Sequence, residues 1–140
     1  MDGEIGMYEE KDIDYDKMYR YWIESSDDDF RVMSNLYRSK SYNWALFAGH
    51  LSLEKLLKGL YVKNYRKIAP FTHNSSRLAE LNNIDLTFEK LDWLDEITMF
   101  NLNGRYDDYK KKFHLMCTLD FTDKWIVRIN ELRTWIKSML

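Results

Sequence analysis

Positions along this chain recur at steps of three and four, the spacing that places side chains on one side of a helix. Met18, Trp22, Ser26, Asp29, Met33 and Leu36 mark such a stripe and predict a first helix from about Tyr15 to Tyr37. Asp27, Asp28 and Asp29 interrupt its apolar character, and they could instead cap a separate helix after a break at Ser25-Ser26. With no Gly or Pro there to stop it, one continuous helix is the preferred reading. A polar connector, 38–41, leads to a second helix from about Tyr42 to Asn64. Ala45, Ala48, Ser52, Leu56 and Gly59 give it a small-residue stripe, while Trp44, Phe47, Leu51 and Leu60 cover another side. A helix apolar on more than one side predicts a central element with several neighbours.

The lone Pro, in Ile68-Ala69-Pro70-Phe71, breaks the pattern. Thr72 is the expected N-cap of a short third helix ending at Leu81. Thr87 caps a fourth helix that closes at Asn103-Gly104, with the Gly suited to a left-handed C-terminal position. Residues 105–117 read as a polar loop or extended start. Trp125, Ile129, Leu132 and Ile136 then predict a last helix from about Thr118 to Lys137. Five helices without a credible strand make an all-α bundle. Residues 1–13 read as a frayed polar leader, and 14–140 as one domain.

Composition narrows the class. A chain of 140 residues with 45% hydrophobic content needs no staple to hold a core. One Cys excludes an internal disulfide framework. The acidic start has no apolar run to serve as a signal peptide, and no stretch approaches the roughly 20 apolar residues of a membrane helix. A cytoplasmic setting is expected.

The net charge of −2 hides strong blocks: residues 1–30 carry −8 and residues 31–77 carry +8. Such blocks are commonly the solvated faces of helices. The sharper reading is a basic face of Lys55, Lys58, Lys63, Arg66 and Lys67, interleaved with Tyr61 and Tyr65, that meets nucleic-acid phosphate while bases stack. The acidic block could instead occupy that face, in cis or across a dimer.

Candidate chemistry is sparse. No glycine-rich phosphate loop exists. His50 and Glu54 stand one turn apart, but no second His–acid pair completes a metal cage, so a polar ladder continuing to Lys58 is preferred and no metal or cofactor is assigned. Asp29, His50 and Glu54 read as polar members of the core. Cys117, as a lone thiol, reads as a small buried hydrophobe, and Asp107-Asp108 as solvated or capping. The segment from Asn103 to His114 holds one Arg, two Tyr, two Asp, three Lys and a His. Arg105 could hold phosphate charge while His114 moves a proton to or from a 2′-hydroxyl, which is ribonuclease chemistry without a metal. The bland alternative is an exposed loop whose Arg105 pairs with Glu54.

Three stretches together resemble the HEPN family. They are 21–30, with Trp22 and Asp29; 45–60, with small residues, Glu54-Lys55 and Lys58, followed by Pro70 and Thr72-His73-Asn74; and Gly104-Arg105-Tyr106-Asp107-Asp108, similar to an Arg-Tyr-Pro-Asp motif. The resemblance implies an up-and-down helical bundle that dimerises. It also implies either a metal-independent ribonuclease using Arg-x(4–6)-His or a relative that has lost that motif, in many cases paired with a nucleotidyltransferase antitoxin. Here the motif is degraded: the next His after Arg105 is His114, and positions 110–112 are all Lys. Arg66 and His73 match the spacing formally but fall between the second and third helices, away from the family's place for it. The first expectation is therefore a module binding RNA, a nucleotide or a nucleotidyltransferase partner through Arg105, Tyr106, Asp108 and the basic face, more a binder than an enzyme. The alternatives are a ribonuclease toxin using Arg105 and His114, or a dimeric assembly protein. The Tyr that antitoxin partners modify in some relatives has only distant counterparts here, Tyr106 and Tyr109.

Overall fold

The computed structural model describes residues 12–140, so all but the end of the expected leader lies outside the described residues. Six helices follow in order: α1 (Tyr15–Arg38), α2 (Tyr42–Tyr65), α3 (Ser75–Leu81), α4 (Phe88–Arg105), α5 (Asp107–Met116) and α6 (Leu119–Lys137). There is no strand among the described residues. The all-α bundle is as expected, with one helix more than the five predicted.

α1 is continuous through its three acids. Successive residues of a helix point about 100° apart, so each carboxylate finds a different neighbour. Asp27 meets Arg133 and Lys137 of α6, Asp28 meets Arg31 within α1, and Asp29 meets Lys55 of α2 at 2.7 Å. The opposing charge blocks of the sequence are thus partly spent on each other, since Arg66 also pairs with Asp16 at 2.7 Å.

Fourteen of the 24 residues of α2 are buried, and it packs against every other helix, as expected of a central element. Its small stripe admits α1 closely. Ser26 Oγ donates to the Ser52 carbonyl at 2.7 Å, and Ser52 Oγ donates back to the Ser26 carbonyl at 3.1 Å. A side chain at Gly59 would collide with Ile23. Leu53, Leu56 and Leu57 are fully buried, and each contributes about 1.5–3 kcal/mol of apolar transfer.

Two helix ends and one connector differ from the sequence reading. α3 is capped by Asn74, which accepts from the Arg77 amide at 3.1 Å; Thr72 Oγ1 instead accepts from the Asn74 amide. Gly104 is helical rather than left-handed, and α4 runs on to Arg105. The Gly is needed for close approach, because a Cβ there would strike the Phe47 ring. Residues 107–116, expected as a loop, form α5. Asp107 and Asp108 lie in its first turn, where acids complement the helix dipole, and Phe113 anchors it on Phe100 with ring centres 5.3 Å apart. No helix of the described residues is long and apolar enough to cross a membrane.

Candidate functional site

One face of α2 organises the polar chemistry. Trp44, Phe47, His50, Glu54 and Lys58 follow at steps of three and four, so they form a strip along the helix. At its first end Trp44 and Phe47 meet edge to face, with centroids 6.1 Å apart. The Arg105 guanidinium lies over Phe47 at 5.9 Å, and the Lys110 ammonium lies over Trp44 at 4.9 Å. Arg105 Nε donates to Asn101 Oδ1 at 2.6 Å, which steadies the side chain along α4.

The middle of the strip is buried. Glu54 is 4% exposed, and its two carboxylate oxygens are divided between two donors. Lys58 Nζ donates to Oε2 at 3.1 Å, and His73 Nδ1 donates to Oε1 at 3.0 Å. His50, fully buried, donates from Nε2 to the His73 carbonyl at 3.1 Å in the tautomer that satisfies this contact. Two α2 residues one turn apart therefore hold residue 73 twice, by ring and by backbone. Burial pushes the pKa of His50 down, and the neighbouring His73 ring and Arg105 guanidinium push the same way. Together they outweigh the His73 carbonyl and the Glu54 carboxylate, which favour the protonated ring. Both His73 and Arg105 thus stand within electrostatic reach of the same buried imidazole.

The far end is apolar. Lys58 Nζ lies 5.4 Å over the Trp22 ring. Beside it a shallow pocket of about 230 Å³ is lined by Met18, Tyr21, Trp22, Lys58 and the loop residues 68–71. Phe71, on its rim, is 97% exposed. That loop leaves α2 through Arg66, which adopts a left-handed φ of 53° and is held by Asp16 and by a cation–π contact to Tyr15.

The predicted residues are distributed unevenly over this site. Arg105 ends α4, Tyr106 is the exposed junction to α5, and Asp108 is exposed in the first turn of α5. His114 is exposed in its last turn. Because the segment is a helix rather than a loop, His114 stands one turn beyond Lys110, about 6 Å further along the axis. The Arg105–Glu54 pair is not formed: Glu54 is taken by Lys58 and His73, and Arg105 by Asn101 and Phe47. Of the basic face, Lys55 and Arg66 pair with acids of α1, Lys58 is buried on Glu54, and Lys63 sits over Tyr19. Lys67 is exposed. Asp29, His50 and Glu54 are polar groups packed on or within the core. Burial pushes the Cys117 thiol up to about 12, which keeps it protonated at neutral pH. Among the described residues no group of three or more His, Cys, Asp or Glu side chains is placed to hold a metal ion.

Lys110, His73, Trp22 and Phe71 were not among the residues picked out for binding. Lys110 was visible only as one of three lysines at the degraded motif. His73 had a signal in the stretch after Pro70, but nothing in the spacing ties it to Glu54.

The fold and the strip define a helical bundle that presents cations on an aromatic platform at one end of a helix whose middle holds a buried carboxylate. Residues 19–139 match the HEPN domain family, and the chain belongs to it. The crystal structure of TT1696 from Thermus thermophilus shares the fold, with a TM-score of 0.74 over 87% of this chain and 98% of that one, at 18% identity. No curated protein matches the chain.

Proposed function

We propose that this HEPN chain is a binding module for RNA or a nucleotide, in which Arg105 and Lys110 hold phosphate and the ribonuclease motif has been converted from cutting to holding. The observation that carries the reading is that the two cations each lie over one ring of the adjoining Phe47–Trp44 pair. Lys110 follows Arg105 with four residues between, the place where the family puts its catalytic His. A lysine there supplies charge to a phosphate, and no imidazole to move its proton. Tyr106 offers a ring to a base, and Asp108 an acceptor to a ribose hydroxyl. The exposed tyrosines Tyr106 and Tyr109 also remain the groups a nucleotidyltransferase partner would modify. That partner, and a homodimer, come to this chain from the family resemblance.

RNA binding followed against salt tests the reading. Log affinity should fall linearly with log salt, and Arg105→Ala and Lys110→Ala should each reduce the slope by about 0.7, one single-strand phosphate contact. Lys110→His should give RNA cleavage in EDTA where the wild type gives none. Cleavage by the wild type that is lost in His114→Ala would return the weight to an Arg105–His114 ribonuclease. RNA binding that ignores salt would remove the phosphate clamp.

A further inference from the structure

We infer that the ligand is single-stranded and spans about three nucleotides, with one base stacked in the pocket between Trp22 and Phe71 at the far end of the α2 strip. The inference rests on the phosphate-clamp reading and extends it to a second subsite.

Three features carry it. Phe71 is 97% exposed on a loop whose backbone is constrained by Pro70 and by the His50–His73 hydrogen bond, so the chain places an unpacked ring at the mouth of the pocket. A lone exposed apolar side chain is ordinary, but Phe71 shares this pocket with the exposed Tyr21 and Ile68, and a contiguous apolar patch is informative. The pocket behind it offers the Tyr21 and Trp22 rings, which are themselves edge to face at 5.4 Å, and an apolar floor. Every base has a π face that such rings accept without regard to its identity.

The second feature is chemical contrast along one line. The Arg105–Lys110 end is cationic over aromatic rings, while the Trp22–Phe71 end is aromatic beside a cation, Lys58, already committed to Glu54. A strand that alternates phosphate and base needs that order of subsites.

The third is distance. Phe47 and Lys58 are eleven positions apart on α2, about 16 Å along the axis. A mononucleotide is too short to reach both ends. His73 lies between them, 56% exposed, with Nδ1 bound to Glu54 and its ring fixed at the surface as an intermediate contact. A duplex, whose bases are stacked on each other, has none to give to Phe71.

Fluorescence anisotropy would compare labelled AMP, tri-adenylate, hexa-adenylate and a blunt RNA duplex on the same chain. Affinity should rise from one to three nucleotides and then level off, with the duplex weaker than the trimer. Phe71→Ala should weaken the trimer about tenfold or more while leaving the salt slope unchanged, and Phe71→Trp should restore it. Phe71 is almost free of the fold, so its variants keep the bundle intact. Equal binding of AMP and the trimer, a duplex as tight as the trimer, or an indifferent Phe71→Ala would overturn the inference and leave the clamp standing. Failure of every probe to bind would remove both.

Discussion

Two clusters of cations flank this bundle, and they handle charge in opposite ways. Between α1 and α6, Arg133 and Lys137 converge on one carboxylate, Asp27, while the Arg133 guanidinium rests 4.5 Å over Phe30. At the other site Arg105 and Lys110 also rest on rings, but among the described residues the one carboxylate near them is the exposed Asp107, 3.9 Å from Lys110. A ring attracts a cation through its quadrupole and leaves the net charge in place. A carboxylate cancels it. The first cluster is therefore half neutralised in holding α1 and α6 together, whereas the second leaves more of its charge at the surface, where the proposed phosphate clamp needs it. Burial separates the two as well, since Arg133 is 6% exposed whereas Arg105 is at the surface.

The contrast breaks most visibly at Asp27. Asp27→Ala would strand a buried guanidinium, and urea unfolding should register a loss of about 2–3 kcal/mol, less than for a fully buried pair because Asp27 is itself half exposed. Its effect on RNA affinity should be negligible. Gly104→Ala should come next. The new methyl must displace the Phe47 ring, a cost of about 1–3 kcal/mol for overpacking, offset in part by the roughly 1 kcal/mol that Ala gains over Gly in a helix. The displaced ring carries Arg105 with it, so RNA affinity should fall although no ligand contact has been removed. The smallest effect is a pH dependence. Burial would raise the Asp27 carboxyl, but hydrogen bonds from Lys137 and Arg133 outweigh it and hold its pKa below the ordinary 3.8. A group depressed by folding adds stability above its unfolded value and loses it as pH falls through its folded one. The advantage of wild type over Asp27→Asn should therefore be full at neutral pH and shrink once pH drops below about 4. An unchanged gap at pH 3 would mean that the acid does not titrate with the fold.

The bundle was legible because its long helices carry several apolar anchors each. α1, α2 and α6 begin and end within a residue or two of where the periodicity puts them. α5 was missed because a single buried residue, Phe113, ties it to the core, and one anchor makes no period. Gly104 was misread for a related reason: glycine as a stop and glycine as a gap look the same until the partner, Phe47, is known. The candidate site was legible at Arg105, which the family resemblance singled out. It was not legible at His73, because the tie runs from a loop to a helix 19 residues earlier, and no local pattern records it. The basic face was read as one surface, yet α1 takes two of its five cations in ion pairs, which no charge count along the chain could assign.

The single anchor of α5 has a kinetic meaning. Segments with few buried contacts open on their own, at free energies well below that of global unfolding. Lys110 rides on such a segment, and Arg105 does not. The two residues of the proposed clamp therefore sit on helices of unequal anchoring, α4 with Leu94, Ile97 and Phe100 buried and α5 with Phe113. Amide protons of α5 should exchange with solvent sooner than those of α2, and a bound phosphate, bridging both helices of the clamp, should slow that exchange selectively.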